Sequence, residues 1–222
     1  MQKFDTPAPV TAVLDIPAGR IRLIAADRPD TTVEILPADP GKGRDLKAAE
    51  QTGATYHDGV LRIEAPAAKN RILGTTGSVE VTVRLPAGSR VDAKTAAAEL
   101  RGVGRLGDVT FEAAQATVKL DETATTRLTL QAGDITLGRL TGPAEIDTRK
   151  GDITVTEAHR GTVTLRTQHG AITIGAARGT SASLDAGTGH GRIHNALRNT
   201  DGTADLTVHA TTAHGDITAR SL

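Results

Sequence analysis
The sequence predicts an all-β solenoid of the β-helix kind, or an all-β stack closely related to one, and three observations carry that expectation. The first is a repeat. Gly-x-Ile/Val-Thr recurs as Gly107-Asp108-Val109-Thr110, Gly133-Asp134-Ile135-Thr136, Gly151-Asp152-Ile153-Thr154, Gly170-Ala171-Ile172-Thr173 and Gly215-Asp216-Ile217-Thr218, with Gly191-Arg192-Ile193-His194 as a worn copy. These glycines stand 26, 18, 19, 21 and 24 residues apart, and a period near twenty means stacked units that bury their apolar faces on one another. The second is period-two alternation between the glycines, the mark of strands with one buried face. The third is the core material. Phe4, Tyr56 and Phe111 are the only aromatics, so the interior must be thin layers of Ile, Val, Leu and Ala, which suit a solenoid better than a wide sandwich.

Amphipathic helices do not fit. Apolar residues sit at i, i+2 and i+4, Thr and β-branched residues abound, and Gly interrupts too often for helices of ordinary length.

Taken in order, residues 1–90 repeat the theme loosely and read as a β-rich N-terminal cap continuous with the coils. Leu14-Asp15-Ile16-Pro17-Ala18-Gly19 is matched by Val83-Arg84-Leu85-Pro86-Ala87-Gly88, in each case a strand entering a turn for which Pro presets φ and Gly accepts the left-handed conformation. Residues 40–52 are the most charged stretch and read as a short helix or, equally, a solvated loop. Asp58-Gly59 between Ala54-Thr55-Tyr56 and Val60-Leu61-Arg62-Ile63 reads as a hairpin turn. Residues 70–77 read as a Gly/Thr loop. No segment has the composition of a linker between independent domains.

Residues 91–222 read as coils of about twenty residues, each two short strands joined by a glycine turn. Leu128, Leu130 and Ala132 alternate with Arg127, Thr129 and Gln131; Ile146 and Thr148 with Glu145, Asp147 and Arg149; Val163 and Leu165 with Thr162, Thr164 and Arg166. Leu184 and Ala186, then Leu206, Val208 and Ala210, continue the series. After the turns, Ile135, Ile153, Ile172, Ile193 and Ile217 are expected to point inward and Thr110, Thr136, Thr154, Thr173 and Thr218 outward. Gly142, Gly161, Gly179 and Gly202 mark the second corner.

The Pro-Ala-Gly turn, the Asp-Gly hairpin and the Gly-Asp-Ile-Thr coils resemble, over nearly the whole chain, a bacterial β-strand-repeat family of unknown function often labelled "putative adhesin". That resemblance implies a right-handed, single-stranded β-solenoid and names no catalytic residue. Many relatives carry a membrane anchor or signal segment.

Composition narrows the partners. The 26 basic and 26 acidic residues cancel, which argues against a nucleic-acid or anionic-membrane partner held by bulk charge. The scarcity of aromatics removes stacking platforms for single strands. Cysteine is absent, so disulfides, thiolate metal sites and thiol nucleophiles are excluded. The first residues, Met1-Gln2-Lys3-Phe4-Asp5-Thr6-Pro7, lack an apolar signal core, and no run of about 18 apolar residues exists. The expected location is cytoplasmic, without membrane insertion.

Four features could carry chemistry. Asp108, Asp134, Asp152 and Asp216 could stack as a Ca²⁺-binding column or, more simply, satisfy turn N–H groups as Asx-turns; Ala171 and Arg192 break the column, and the calcium nonapeptide is missing. His169, His190 and His214 each precede a turn glycine. They form either a solvated turn column or a metal or pH-sensitive site, since three convergent imidazoles can ligate Zn²⁺; Lys150, Ala132 and Leu106 fill the slot in other coils. The outward Thr residues could order water as ice-binding solenoids do, but His194 interrupts them and charges flank them. Finally, no serine sits in Gly-x-Ser-x-Gly, and Gly187-Thr188-Gly189-His190-Gly191 lacks the Lys and the helix of a P-loop.

The resulting expectation is a non-enzymatic scaffold or protein-interaction module without a cofactor. The alternatives are a surface adhesin, if exported, and a polysaccharide-active β-helix enzyme, which would want paired acids in an aromatic-lined groove. The residues Thr218-Ala219-Arg220-Ser221-Leu222 follow a strand directly. The coil bearing Leu206 and Ile217, with Leu222 as its last apolar cover, is therefore expected to form an open solenoid end. Self-association or a protein partner is expected there, through residues 205–222.

Overall fold
The computed structural model describes residues 1–65, 77–200 and 202–222. They form nineteen strands and one helix in two compact units, Met1–Gln115 and Ala116–Leu222. The all-β, solenoid-like fold is as the repeat implies. Of the loop expected over residues 70–77, all but Gly77 lies outside the described residues.

In the first unit, β1 (Gln2–Asp5), β2 (Thr11–Asp15), β3 (Ala18–Ala26) and β4 (Asp30–Pro37) precede α1 (Gly43–Gln51); β5 (Gly53–His57), β6 (Val60–Glu64), β7 (Val79–Pro86) and β8 (Arg90–Arg105) follow it. β2 and β3 make one coil. The long β8 runs parallel along both on one side, and β6 and β7 pair with β2 and β3 on the other. The next layer is antiparallel: β5 covers β6, β4 covers β7, and β1 covers β4. Asp58 and Gly59 take positive φ of 48° and 78° and close the β5–β6 hairpin as expected. The charged segment is helical over Gly43–Gln51. Its buried Asp45 accepts a hydrogen bond from the Ser78 N–H at 3.0 Å, and Thr52 closes the last turn on the Ala48 carbonyl.

The two Pro-Ala-Gly matches are not equivalent. Gly88 sits in a tight turn closed by the Ser89 N–H on the Pro86 carbonyl. Gly19 already lies inside β3, where a side chain would collide with the Val79 carbonyl oxygen.

β9 (Val109–Thr123) enters the second unit, which continues with β10 (Thr126–Ala132), β11 (Ile135–Leu140), β12 (Ala144–Lys150), β13 (Ile153–Ala158), β14 (Gly161–His169), β15 (Ile172–Ala176), β16 (Ala182–His190), β17 (Ile193–Ala196), β18 (Leu206–His214) and β19 (Ile217–Ser221). They stack as two parallel columns. One runs β10, β12, β14, β18, β16, and the other runs β9, β11, β13, β15, β19, β17. Leu128, Ile146, Val163, Ile153, Ile172, Leu206 and Ile217 are fully buried between them.

The column order corrects the expectation about the open end. The β18–β19 coil is not last. It is inserted between β14–β15 and β16–β17, paired on both sides. Leu206 and Ile217 are fully buried, and Leu222 lies against Gly175, its N–H donating to the Ala176 carbonyl. The end coil is β16–β17. For that reason three residues expected inside are not fully buried: Leu184 and Ala186 are only half-buried and Ile193 is 46% exposed. Nothing is stacked on their outer side among the described residues.

The 26-residue interval also resolves. Val118 pairs with Ile135, so Ala116 takes the corner glycine's place in the preceding coil. Gly107, with Asp108, abuts Gly88 and Ser89 in the first unit instead.

Candidate functional site
The corner between the two columns repeats four interactions, and the first explains the glycines. Gly151 and Gly215 have φ of 141° and 148°, and a Cβ at either would collide with the carbonyl oxygen of the preceding corner, Gly133 or Gly170. Only glycine allows that approach. Three residues earlier stands a threonine. The hydroxyls of Thr167, Thr212 and Thr188 donate to the carbonyls of Gly151, Gly170 and Gly215 at 3.0–3.1 Å, satisfying acceptors that would otherwise be stranded. This inward ladder escaped the sequence reading, although Thr-x-x-Gly recurs at Thr148, Thr167, Thr188 and Thr212.

The aspartates act between coils rather than within their own turns. Asp134 accepts from the Asp152 N–H at 2.9 Å, Asp152 from the Ala171 N–H at 2.7 Å, and Asp216 from the Arg192 N–H at 2.8 Å. Asp108 belongs to the first unit and joins no such ladder.

The fourth interaction is the histidine column. His169 is in register with His214, and His214 with His190. The rings stack at centroid separations of 4.9 and 4.8 Å and lie within 1° of parallel. Lys150 holds the same position one coil further and Ala132 the next. Insertion of β18–β19 makes the three histidines contiguous in the order 169, 214, 190. Parallel rings align their nitrogens in rows instead of aiming them at one point. Among the described residues, no group of three or more His, Asp or Glu is arranged to hold a metal ion.

The same insertion makes the outward threonines contiguous. Thr136, Thr154, Thr173 and Thr218 form an unbroken file, with His194 at its end rather than within it. Thr110 lies outside that file, since Lys119 is opposite Thr136.

The histidine column ends at the edge. Among the described residues β16 pairs only with β18 and β17 only with β19, so each carries a row of backbone N–H and C=O groups on its other side. All four residues of β17 are exposed. Beside them His209 approaches Asp185 at 3.3 Å. The loop after β17 is tied back by Ala182 N–H on the Arg198 carbonyl and Arg198 N–H on the Ser221 hydroxyl.

Elsewhere the surface offers shallow depressions of about 400–500 Å³ along the second corner. Asp205 accepts from the Ser181 N–H in one, and in another Glu145 is held between Arg127 and Arg166. No paired acids face each other in these depressions among the described residues.

A family model described as "Toastrack DUF4097" matches residues 13–220. The chain belongs to the Toastrack DUF4097 family. The family resemblance read from the turns and coils is thereby confirmed. No curated protein matches this Toastrack chain. Solved structures similar to it include a "putative cell adhesion protein" from Clostridium sporogenes, at 11% identity and TM-score 0.47, covering 100% of this chain and 98% of that one. A "putative adhesin" from Bacteroides fragilis is similar at 13% identity and TM-score 0.48, covering 98% and 95%. A "putative lipid binding protein" from Parabacteroides distasonis is similar at 10% identity and TM-score 0.44, also covering 98% and 95%. Likeness of that strength carries nothing about function. Among the described residues, no helix of the Toastrack chain is long and apolar enough to cross a membrane.

Proposed function
We propose that this Toastrack protein is a non-enzymatic interaction scaffold that receives an extended segment of a partner protein on the free edge of β16 and β17. One observation carries the reading. Among the described residues these two strands are paired on one side only, and β17 is exposed throughout, whereas β6 and β7 of the first unit are each covered by an antiparallel strand. A free edge supplies main-chain hydrogen bonds to an added strand, and alternate side chains along it supply selectivity. The edge is sparse in bulk: Gly187 has open space where a side chain would stand, and Ile193 is its large exposed apolar group.

Site-specific photocrosslinking tests it. A photoreactive residue at Ile193 or Asn195 is expected to capture one discrete partner, and the capture should be lost with Asp185→Pro, which disrupts the edge. The same reagent at Arg127, on the outer face of β10, is expected to capture none. Equal capture at all three positions, or none at any, would overturn the reading.

A further inference from the structure
We infer that the histidine column makes the β16–β17 edge pH-responsive, holding the end coil down at neutral pH and loosening it in mild acid. This rests on the edge being the working surface, as argued above. Imidazole is the side chain whose charge changes between pH 5 and 8. Neutral rings stacked at 4.8–4.9 Å attract weakly; protonated rings in the same stack are like charges at close range.

The surroundings do not neutralise them. His169 has Lys150 in register on its other side, with Arg149 beside it, and Arg192 follows His190 in the end turn. The three coils bearing the histidines carry Ala171, Asp216 and Arg192 at the following turn position. One carboxylate thus serves three imidazoles, and Asp216 already spends an oxygen on the Arg192 N–H. The neighbouring coil adds Asp152, likewise engaged, by the Ala171 N–H. His209 works in the opposite sense, since protonation strengthens its contact with Asp185; that pair is open to solvent, as the stacked rings are, and its one contact offsets only part of their two repulsions. His194 faces Thr218 and has no charged partner in register.

Repulsion at His169 is resisted by coils paired on both sides. At His190 it is resisted from one side only among the described residues, by the bonds of β16 and β17 to β18 and β19, so the end coil is where it is relieved. Docking of β16–β17 is therefore firmest with neutral rings and weakened once they carry charge.

Hydrogen–deuterium exchange on the chain alone tests this. Protection factors, which remove the intrinsic pH dependence, are compared at pH 7.5 and 5.5. Residues 182–196 are expected to lose protection by about tenfold, while residues 126–158 change little. In His214→Gln, which removes the shared middle ring, the loss should shrink to near nothing; His190→Gln serves the same purpose if the first variant folds poorly by circular dichroism. Unchanged protection in the wild type, or an equal loss in both variants, overturns the switch and leaves the docking reading standing. A pH-responsive end coil that crosslinks to nothing at either pH upholds the switch and refutes docking alone.

Discussion
The two units stack the same coils but finish them differently. In the first, every outer strand of the β6–β2–β8 and β7–β3–β8 stacks on the β6–β7 side meets an antiparallel neighbour, and α1 packs nearby against β4 and β7. The clamp is ionic as well. Lys3 and Arg28 reach Asp30 at 3.0 and 2.7 Å, fastening β1 to the start of β4, and their hydrogen bonds hold the Asp30 carboxyl below its ordinary range. In the second unit the β16–β17 coil has no such neighbour among the described residues. An edge can be protected by covering it or by making it small, polar and rich in glycine. The first unit uses cover; the second uses composition, which leaves the backbone available.

The largest expected effect sets buried against exposed copies of one repeat position. Ile153 and Ile193 both follow a corner glycine, yet Ile153 is fully buried and Ile193 is 46% exposed. Ile153→Asp buries an unpaired carboxylate and should cost about 4 kcal/mol or more in urea denaturation, unfolding several coils together. Ile193→Asp should stay within about 0.5 kcal/mol of wild type. Equal losses would show that the end coil is packed as tightly as the rest.

A smaller effect separates the corner glycines from ordinary turn glycines. Gly215→Ala places a methyl against the Gly170 carbonyl at φ 148° and should lower the thermal midpoint by several degrees, about 2 kcal/mol. Gly179→Ala, at φ 77° with open space around it, should cost about 1 kcal/mol. Similar shifts in a thermal scan would mean the coils separate slightly to admit a side chain.

The smallest effect is in acid tolerance. A carboxyl whose folded pKa is depressed contributes stability above its unfolded value, about 3.9 for Asp, and loses it as pH falls through the folded value. The β1–β4 clamp at Asp30 should therefore stay protected at pH 5.5, where the β16–β17 edge has already loosened. Exchange of residues 2–5 and 30–33 over that interval is the measurement; loss of protection there at pH 5.5 would erase the distinction between the units.

Much of this was legible because local patterns report local facts. Alternation identified Leu128, Ile146, Val163 and Ile172 as inward, since a strand with one dry face can arrange its side chains no other way. The histidine column was legible as a shared slot before Gly170, Gly191 and Gly215. Coil order was not. The apolar faces of β14, β16 and β18 are built from the same few aliphatic residues, so nothing in the alternation says which stacks on which. That one ambiguity misplaced the open end, put Ile193 inside, and made the threonine file look broken. Ala116 hid a corner because the strand register, rather than the glycine, defines it. The aspartates were read as closing their own turns, because a bond to the next coil is visible only once coils are stacked.

The inserted coil has a consequence for how the molecule assembles. A solenoid whose coils lie in chain order can fold as a zipper, each turn templating the one after it. Here no earlier strand among the described residues templates β16 and β17. Among the described residues their only strand partners are β18 and β19, which come later in the chain and must also find β14 and β15, 45 residues back at Gly161 and Leu206. The end coil is therefore held in waiting until the following coil slots in beneath it, and the two are locked in a single step. That step closes long loops before it gains contacts, which slows it. Residues 206–221 act as the keystone of the second unit: removing them would detach a coil that lies ahead of them in the chain, and would leave β14 and β15 as a new bare edge.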